Sequence, residues 1–130
     1  MRLDGKVAIV TASTRGIGLA CTQRLAREGA TVYMAARNME RAENRAKELN
    51  DEGCNVKTVY NDATEKETYT SMVEEVFKNE GRIDILVNNF GTSNPQKDLD
   101  IKNTEYDEYI RTVDINLASV FMTSQAAIPH

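Results

Sequence analysis

The feature that most constrains this chain lies in its first eighteen residues. A short apolar run, Lys6-Val7-Ala8-Ile9-Val10, passes through Thr11-Ala12-Ser13-Thr14-Arg15 into Gly16-Ile17-Gly18 and then into a helical pattern. A strand that is apolar at nearly every position must be covered on both faces, whereas a strand with one solvated face alternates. A glycine-bearing turn from such a strand into a helix leaves backbone N–H groups pointing at one spot with no side chain in the way. The rest of the chain must then supply helices for both faces of a parallel sheet.

It does so by alternation. Ile17 to Glu28 is expected as a helix with Ile17, Cys21 and Leu25 on one face and Gly29 as its stop. Thr31–Ala35 reads as the second strand. Met39 to Glu52 reads as a second helix that turns Ala42, Ala46 and Leu49 inward and stops at Gly53, and Val56–Tyr60 as the third strand. Tyr69, Met72, Val73, Val76 and Phe77 then give the cleanest helical period in the sequence, closed by Gly81. Ile83–Val87 is expected as the fourth strand. A polar loop from Gly91 to Asn103 leads to Thr104, expected to cap a long helix with Asp107 in a variant capping box. That helix carries Tyr106, Ile110, Val113 and Leu117 and runs on through Val120 and Phe121.

Strand–helix alternation with short connections implies right-handed crossovers and the spatial order 3-2-1-4. The fold class is therefore α/β, a Rossmann-type doubly wound parallel sheet. Strand four stands at the edge, with Ala126-Ala127-Ile128-Pro129-His130 after the long helix and no closing strand. An open parallel edge exposes unpaired backbone groups. Residues 1–130 are accordingly expected to be the nucleotide-binding portion of one such domain, truncated after strand four and the helix that follows.

Charge decides what this portion binds. Sixteen basic residues against twenty acidic ones give a net charge of −4, which argues against nucleic acid as a partner. Any anion must be held by local geometry. No apolar run approaches the roughly 20 residues that cross a bilayer. Met1-Arg2-Leu3-Asp4-Gly5-Lys6 leads straight into the first strand without the apolar segment of a secretory signal, so no membrane partner and a cytoplasmic location are expected. Cys21 and Cys54 form no CxxC pair and share no metal-ligand spacing with His130, so free, buried thiols and no metal site are expected.

The turn fits a dinucleotide pyrophosphate, because Gly16 and Gly18 clear the approach and Ser13 and Thr14 can add hydroxyl donors. The end of the second strand refines this. A free ribose 2′-hydroxyl is commonly met there by a carboxylate, but the strand ends Ala35-Ala36-Arg37-Asn38. Arg37 can form a bidentate, charge-assisted contact to a 2′-phosphate, and Arg15 approaches the same corner from the turn. The expected cofactor is NADP(H).

These residues together resemble the short-chain dehydrogenase/reductase family, whose turn reads T-G-x-x-x-G-x-G; Thr11, Gly16 and Gly18 match and Ala12 replaces the first glycine. Asn61-Asp62-Ala63-Thr64 resembles the family segment whose aspartate meets the adenine ring. Asn88-Asn89-Phe90-Gly91 resembles N-N-A-G with Phe90 in place of alanine, and Asp114-Ile115-Asn116-Leu117 resembles the stretch around the active-site asparagine. The resemblance spans the whole chain. It implies a cofactor site of Thr11, Ser13, Thr14, Arg15, Gly16, Ile17, Gly18, Arg37, Asn38, Asp62, Ala63, Asn89, Phe90 and Gly91, with Asn116 as a catalytic-group member that interrupts its helix. Val32–Arg37, Glu67–Glu74, Gly81–Gly91 and the terminal Ala126–His130 resemble the clostridial 7-alpha-hydroxysteroid dehydrogenase branch of the family, which implies a steroid or bile acid as the secondary alcohol or ketone.

The resemblance implies hydride transfer between a secondary alcohol and nicotinamide, with a tyrosine taking the proton, a lysine four residues later lowering its pKa, and a serine holding the substrate oxygen. A phenol is too weak a base near neutrality without a neighbouring positive charge. Tyr33, Tyr60, Tyr69, Tyr106 and Tyr109 are followed at that spacing by Arg37, Thr64, Val73, Ile110 and Val113, so no Tyr-x-x-x-Lys is present. Residues 1–130 alone are therefore expected to be inactive and prone to associate. The family also implies a homo-oligomer, with Leu117, Val120, Phe121 and Ile128 serving core and interface together. Two alternatives share the cofactor motifs: a 3-oxoacyl-carrier-protein reductase, and a non-catalytic NADP-binding or interaction module.

Overall fold

A computed structural model describes all residues, 1–130. The chain runs β1 (Val7–Thr11), α1 (Gly16–Arg27), β2 (Thr31–Ala36), α2 (Met39–Asp51), β3 (Asn55–Tyr60), α3 (Glu67–Glu80), β4 (Ile85–Val87) and α4 (Tyr106–Ala127). The four strands form one parallel sheet in the order β3-β2-β1-β4, as the alternation predicts.

Period-two alternation divides β1 between two cores. Val7 and Ile9 join Tyr33, Ala35 and Val59 on one face, under Tyr69, Met72, Val73 and Val76 of α3. Ala8 and Val10 join Val32, Met34 and Val56 on the other, under Ala26 of α1 and Ala46 and Leu49 of α2. All five β1 residues are buried, which is why the strand reads as an unbroken apolar run. Burying each valine or isoleucine side chain contributes roughly 1.5–3 kcal/mol.

Several expectations need correction. α1 opens at Gly16, and Ile17 points to solvent with 76% of its surface exposed; the buried residues of α1 are Gly18, Thr22 and Ala26. The cause is the close approach of Gly18 to the turn, which leaves the inner side of the first helical turn no room for a large side chain. β4 begins at Ile85 rather than Ile83. Asp84 N–H donates to the Val7 carbonyl at 2.9 Å, but the Val7 N–H is taken by the Asp84 carboxylate at 2.9 Å, so a side chain replaces the ladder there. Thr104 does not cap α4. Its hydroxyl accepts from Leu99 N–H and donates to the Asp100 carbonyl, closing the preceding turn, and Glu105 stands at the cap with no side-chain bond. Both cysteines are free but half-buried rather than buried.

α4 keeps out of the core the apolar residues expected to serve core and interface together. Tyr106, Leu117 and Phe121 are 72%, 62% and 65% exposed, and Ile110, Val113 and Val120 are exposed as well. Toward the protein α4 presents Glu108, Ser119 and Thr123, all buried, with Met122, Ala126 and Ala127 packing against the α3-side core. No helix is long and apolar enough to cross a membrane.

Candidate functional site

The carboxyl ends of β1, β2, β3 and β4 border one cleft of about 400 Å³. In a doubly wound sheet a ligand crevice forms where successive crossovers leave in opposite directions, here between β1 and β4. Thr11 braces the strand ends behind it. The Thr11 hydroxyl accepts from Asn89 N–H at 2.9 Å and Phe90 N–H at 3.1 Å and donates to the Val87 carbonyl, tying the end of β1 to the segment after β4. Asn89 Nδ2 adds a bond to the Ala12 carbonyl at 3.1 Å.

The turn owes its shape to three special positions. Ala12 holds φ 49°, the left-handed region that costs a side-chain-bearing residue roughly 1–2 kcal/mol. Gly16 holds φ 57°, and a Cβ there would meet nothing within 4 Å, so the space above it is open. Gly18 is needed for packing. A Cβ there would overlap the Ala12 carbonyl oxygen and stand 2.6 Å from Asn89 Nδ2. The two glycines thus act differently: Gly16 supplies an unusual backbone angle beneath open space, and Gly18 lets the helix sit against the strand end.

Of the residues singled out from the sequence, Thr14, Arg15, Arg37 and Asn38 line the cleft from the turn and the end of β2. Asp62, Ala63, Phe90 and Gly91 line it from the β3 and β4 sides. Thr11, Gly16, Ile17, Gly18 and Asn89 are not on its wall. Ser13 is not there either; its hydroxyl is buried with no hydrogen-bond partner. Asn38 spends its Oδ1 on the Arg41 N–H, capping α2. Asp62 is held by the Thr64 N–H at 2.9 Å and the Thr64 hydroxyl at 2.8 Å, which keep its carboxyl below the ordinary carboxylate range, with a further pull from the Arg37 charge.

Asn116 does not interrupt α4, which continues through it. Its Oδ1 accepts from Thr92 N–H and its Nδ2 donates to the Thr92 and Thr112 carbonyls, all at 2.8 Å. The Asn116 carbonyl accepts from the Ser119 hydroxyl at 2.8 Å. The asparagine therefore binds the strand-four loop to α4 just past Gly91. The reading from sequence missed Arg41, Thr92, Arg111 and Ile115, which also line the cleft. Arg41 was within reach of sequence reasoning: it sits three residues past the α2 cap, on the side where strands end. Arg111 carried no such signal, because its place depends on how α4 rotates.

Residues 6–130 match the family described as short chain dehydrogenase. The chain belongs to the short-chain dehydrogenase family. This short-chain dehydrogenase is 52% identical over 129 residues to a 7alpha-hydroxysteroid dehydrogenase of Clostridium sardiniense, covering 99% of the chain and 49% of that protein. It is 45% identical to a 7alpha-hydroxysteroid dehydrogenase of Paraclostridium sordellii, covering 99% and 48%. Among solved structures, a gluconate 5-dehydrogenase from Burkholderia cenocepacia in complex with NADP and tartrate superposes with a TM-score of 0.87 at 35% identity, covering 99% of the chain and 49% of that structure. The short-chain dehydrogenase chain thus spans about half the length of the relatives it matches.

Proposed function

We propose that residues 1–130 form the NADP(H)-binding portion of an oxidoreductase that acts on the 7-alpha-hydroxyl of a steroid or bile acid. The observation that carries the cofactor assignment is at the end of β2: Ala36 stands where a carboxylate would meet a 2′-hydroxyl, and Arg37 and Arg15 border the cleft without a carboxylate partner. The substrate class rests on the 52% identity to a 7alpha-hydroxysteroid dehydrogenase.

The residues present fit a dinucleotide. Open space over Gly16 and the Thr14 hydroxyl suit a pyrophosphate, and the unpartnered guanidinium groups suit a further phosphate. Asp62 and Ala63 would border the adenine, with Asp62 pre-oriented by Thr64. Asn89 and Thr11 fix the wall formed by Phe90 and Gly91. Asn116 acts as a positioning residue, holding Thr92 so that the loop after β4 keeps its course past the cleft. A bound nicotinamide dinucleotide supplies the hydride acceptor or donor. The proton is handled by the family's tyrosine, lysine and serine, and no Tyr-x-x-x-Lys occurs within residues 1–130, so this stretch binds and positions without turning over.

The test is NADP⁺-linked oxidation by the full-length protein of a bile acid with a 7α-hydroxyl, against its 7β epimer. Selective turnover of the 7α epimer is expected. Equal rates, or activity confined to a 3-oxoacyl thioester, would replace the steroid assignment.

A further inference from the structure

Most arginines of this molecule, including Arg111 on the cleft wall, are paired with carboxylates. Arg24, Arg27, Arg45, Arg82 and Arg111 each pair with a carboxylate: Glu28, Glu52, Glu48, Asp84 and Glu108 respectively. Arg2, Arg15, Arg37 and Arg41 are the remainder, and the last three line the same cleft. α2 makes the contrast sharper. Its other cations, Arg45 and Lys47, are paired along the helix with Glu48 and Asp51, while Arg41, one turn nearer the helix's amino end, forms no ion pair and lines the cleft. Its backbone is pinned by the Asn38 side chain at 3.0 Å, so the guanidinium starts from a fixed point. Asp62, the acid on the cleft wall, is already engaged by Thr64.

Three like charges on one small cleft repel one another, and an anion among them relieves that repulsion. The segment from Arg37 to Arg41 contributes two of them from one side, and Arg15 faces them from the turn. We propose that Arg41 is a further specificity-determining residue, completing with Arg15 and Arg37 a three-arginine clamp for the cofactor's 2′-phosphate. This rests on the NADP(H) reading above. The clamp assigns Arg41 to the phosphate rather than to the adenine or pyrophosphate, which both dinucleotides carry.

The experiment is calorimetric titration of the full-length protein with NADP⁺ and, separately, with NAD⁺, for wild type, Arg41→Ala, Arg37→Ala and Arg45→Ala, each checked by its thermal melt. Arg41→Ala is expected to weaken NADP⁺ about tenfold and NAD⁺ less than twofold, with Arg41→Lys recovering part of the loss. Arg45→Ala, which removes a charge from the same helix, should leave the ratio unchanged. An unchanged ratio in Arg41→Ala while Arg37→Ala shifts it would overturn the clamp and leave the cofactor reading standing. An equal loss for Arg45→Ala would reduce Arg41 to a long-range field and overturn the contact. Failure of both Arg37→Ala and Arg41→Ala to shift the ratio would overturn the cofactor reading and the clamp together.

Discussion

The two ends of the sheet are built to opposite plans. At the amino-terminal end, charges are satisfied. Asp84 accepts from Arg82 Nε at 2.8 Å and from the Val7 N–H, with Lys6 at 3.5 Å, and Glu80 accepts from the Tyr33 hydroxyl at 2.8 Å while pairing with Lys57. The Arg82 guanidinium, followed by the Val7 N–H, holds the Asp84 carboxyl far below the ordinary range. Lys57 and Tyr33 lower Glu80 in the same way. At the carboxyl end, Ala12 sits in a strained backbone region, the Ser13 hydroxyl is orphaned, and Arg15, Arg37 and Arg41 form no salt bridge, although the Arg37 charge acts on Asp62. One end closes the fold, and the other holds unsatisfied charge and strain that a ligand can use. The difference separates groups paired within the fold from groups left unpaired at the cleft, even though both sit at the ends of the same strands.

The strongest break of that contrast is at the turn. Gly16→Val puts a branched side chain into the open space above the turn and forces it to φ 57°. Binding of both dinucleotides is expected to fall more than about a hundredfold, equivalent to ~2.7 kcal/mol, while the circular dichroism of the full-length protein stays native. Retained nicotinamide fluorescence enhancement on a folded variant would contradict the site. A smaller effect is expected from the opposite end. Asp84→Asn removes the charge that joins β1 to β4 and should lower stability by about 1 kcal/mol, the size of a solvent-accessible charge-assisted contact, with dinucleotide affinity unchanged. The sign with pH follows from a depressed carboxyl: the contribution is complete above the unfolded value near 4 and is lost as pH falls below it. Wild-type stability should therefore decline more steeply than the variant's below about pH 4, read by chemical denaturation. Parallel acid limbs would remove Asp84 from that role.

Most of the fold was legible because burial on both faces leaves a plain mark. The unbroken apolar β1 and β2 and the α3 stripe of Tyr69, Met72, Val73 and Val76 led directly to their places. α4 was not legible in the same way. Its apolar residues recur with a helical period, yet Leu117, Val120 and Phe121 face outward and Ser119 and Thr123 face in. Periodicity reports that a helix has an apolar face, and it does not say whether that face meets this chain's core. Thr104 misled for a related reason. A hydroxyl before a helix can cap it or close the turn before it, and only the neighbouring Asp100 carbonyl decides. In the cleft, glycine spacing marked the turn but not the division of labour between Gly16 and Gly18, which depends on where Ala12 and Asn89 sit.

The central claim is that the carboxyl end of this sheet selects a 2′-phosphorylated dinucleotide through Arg37. The most direct test is the ratio of dissociation constants for NAD⁺ and NADP⁺ in the full-length protein, before and after Arg37→Ala. The wild type should favour NADP⁺, and the variant should lose roughly ten- to a hundredfold of that preference through weaker NADP⁺ binding, with NAD⁺ affinity almost unchanged. A wild type with no preference, or a variant that loses both cofactors equally, would contradict the account.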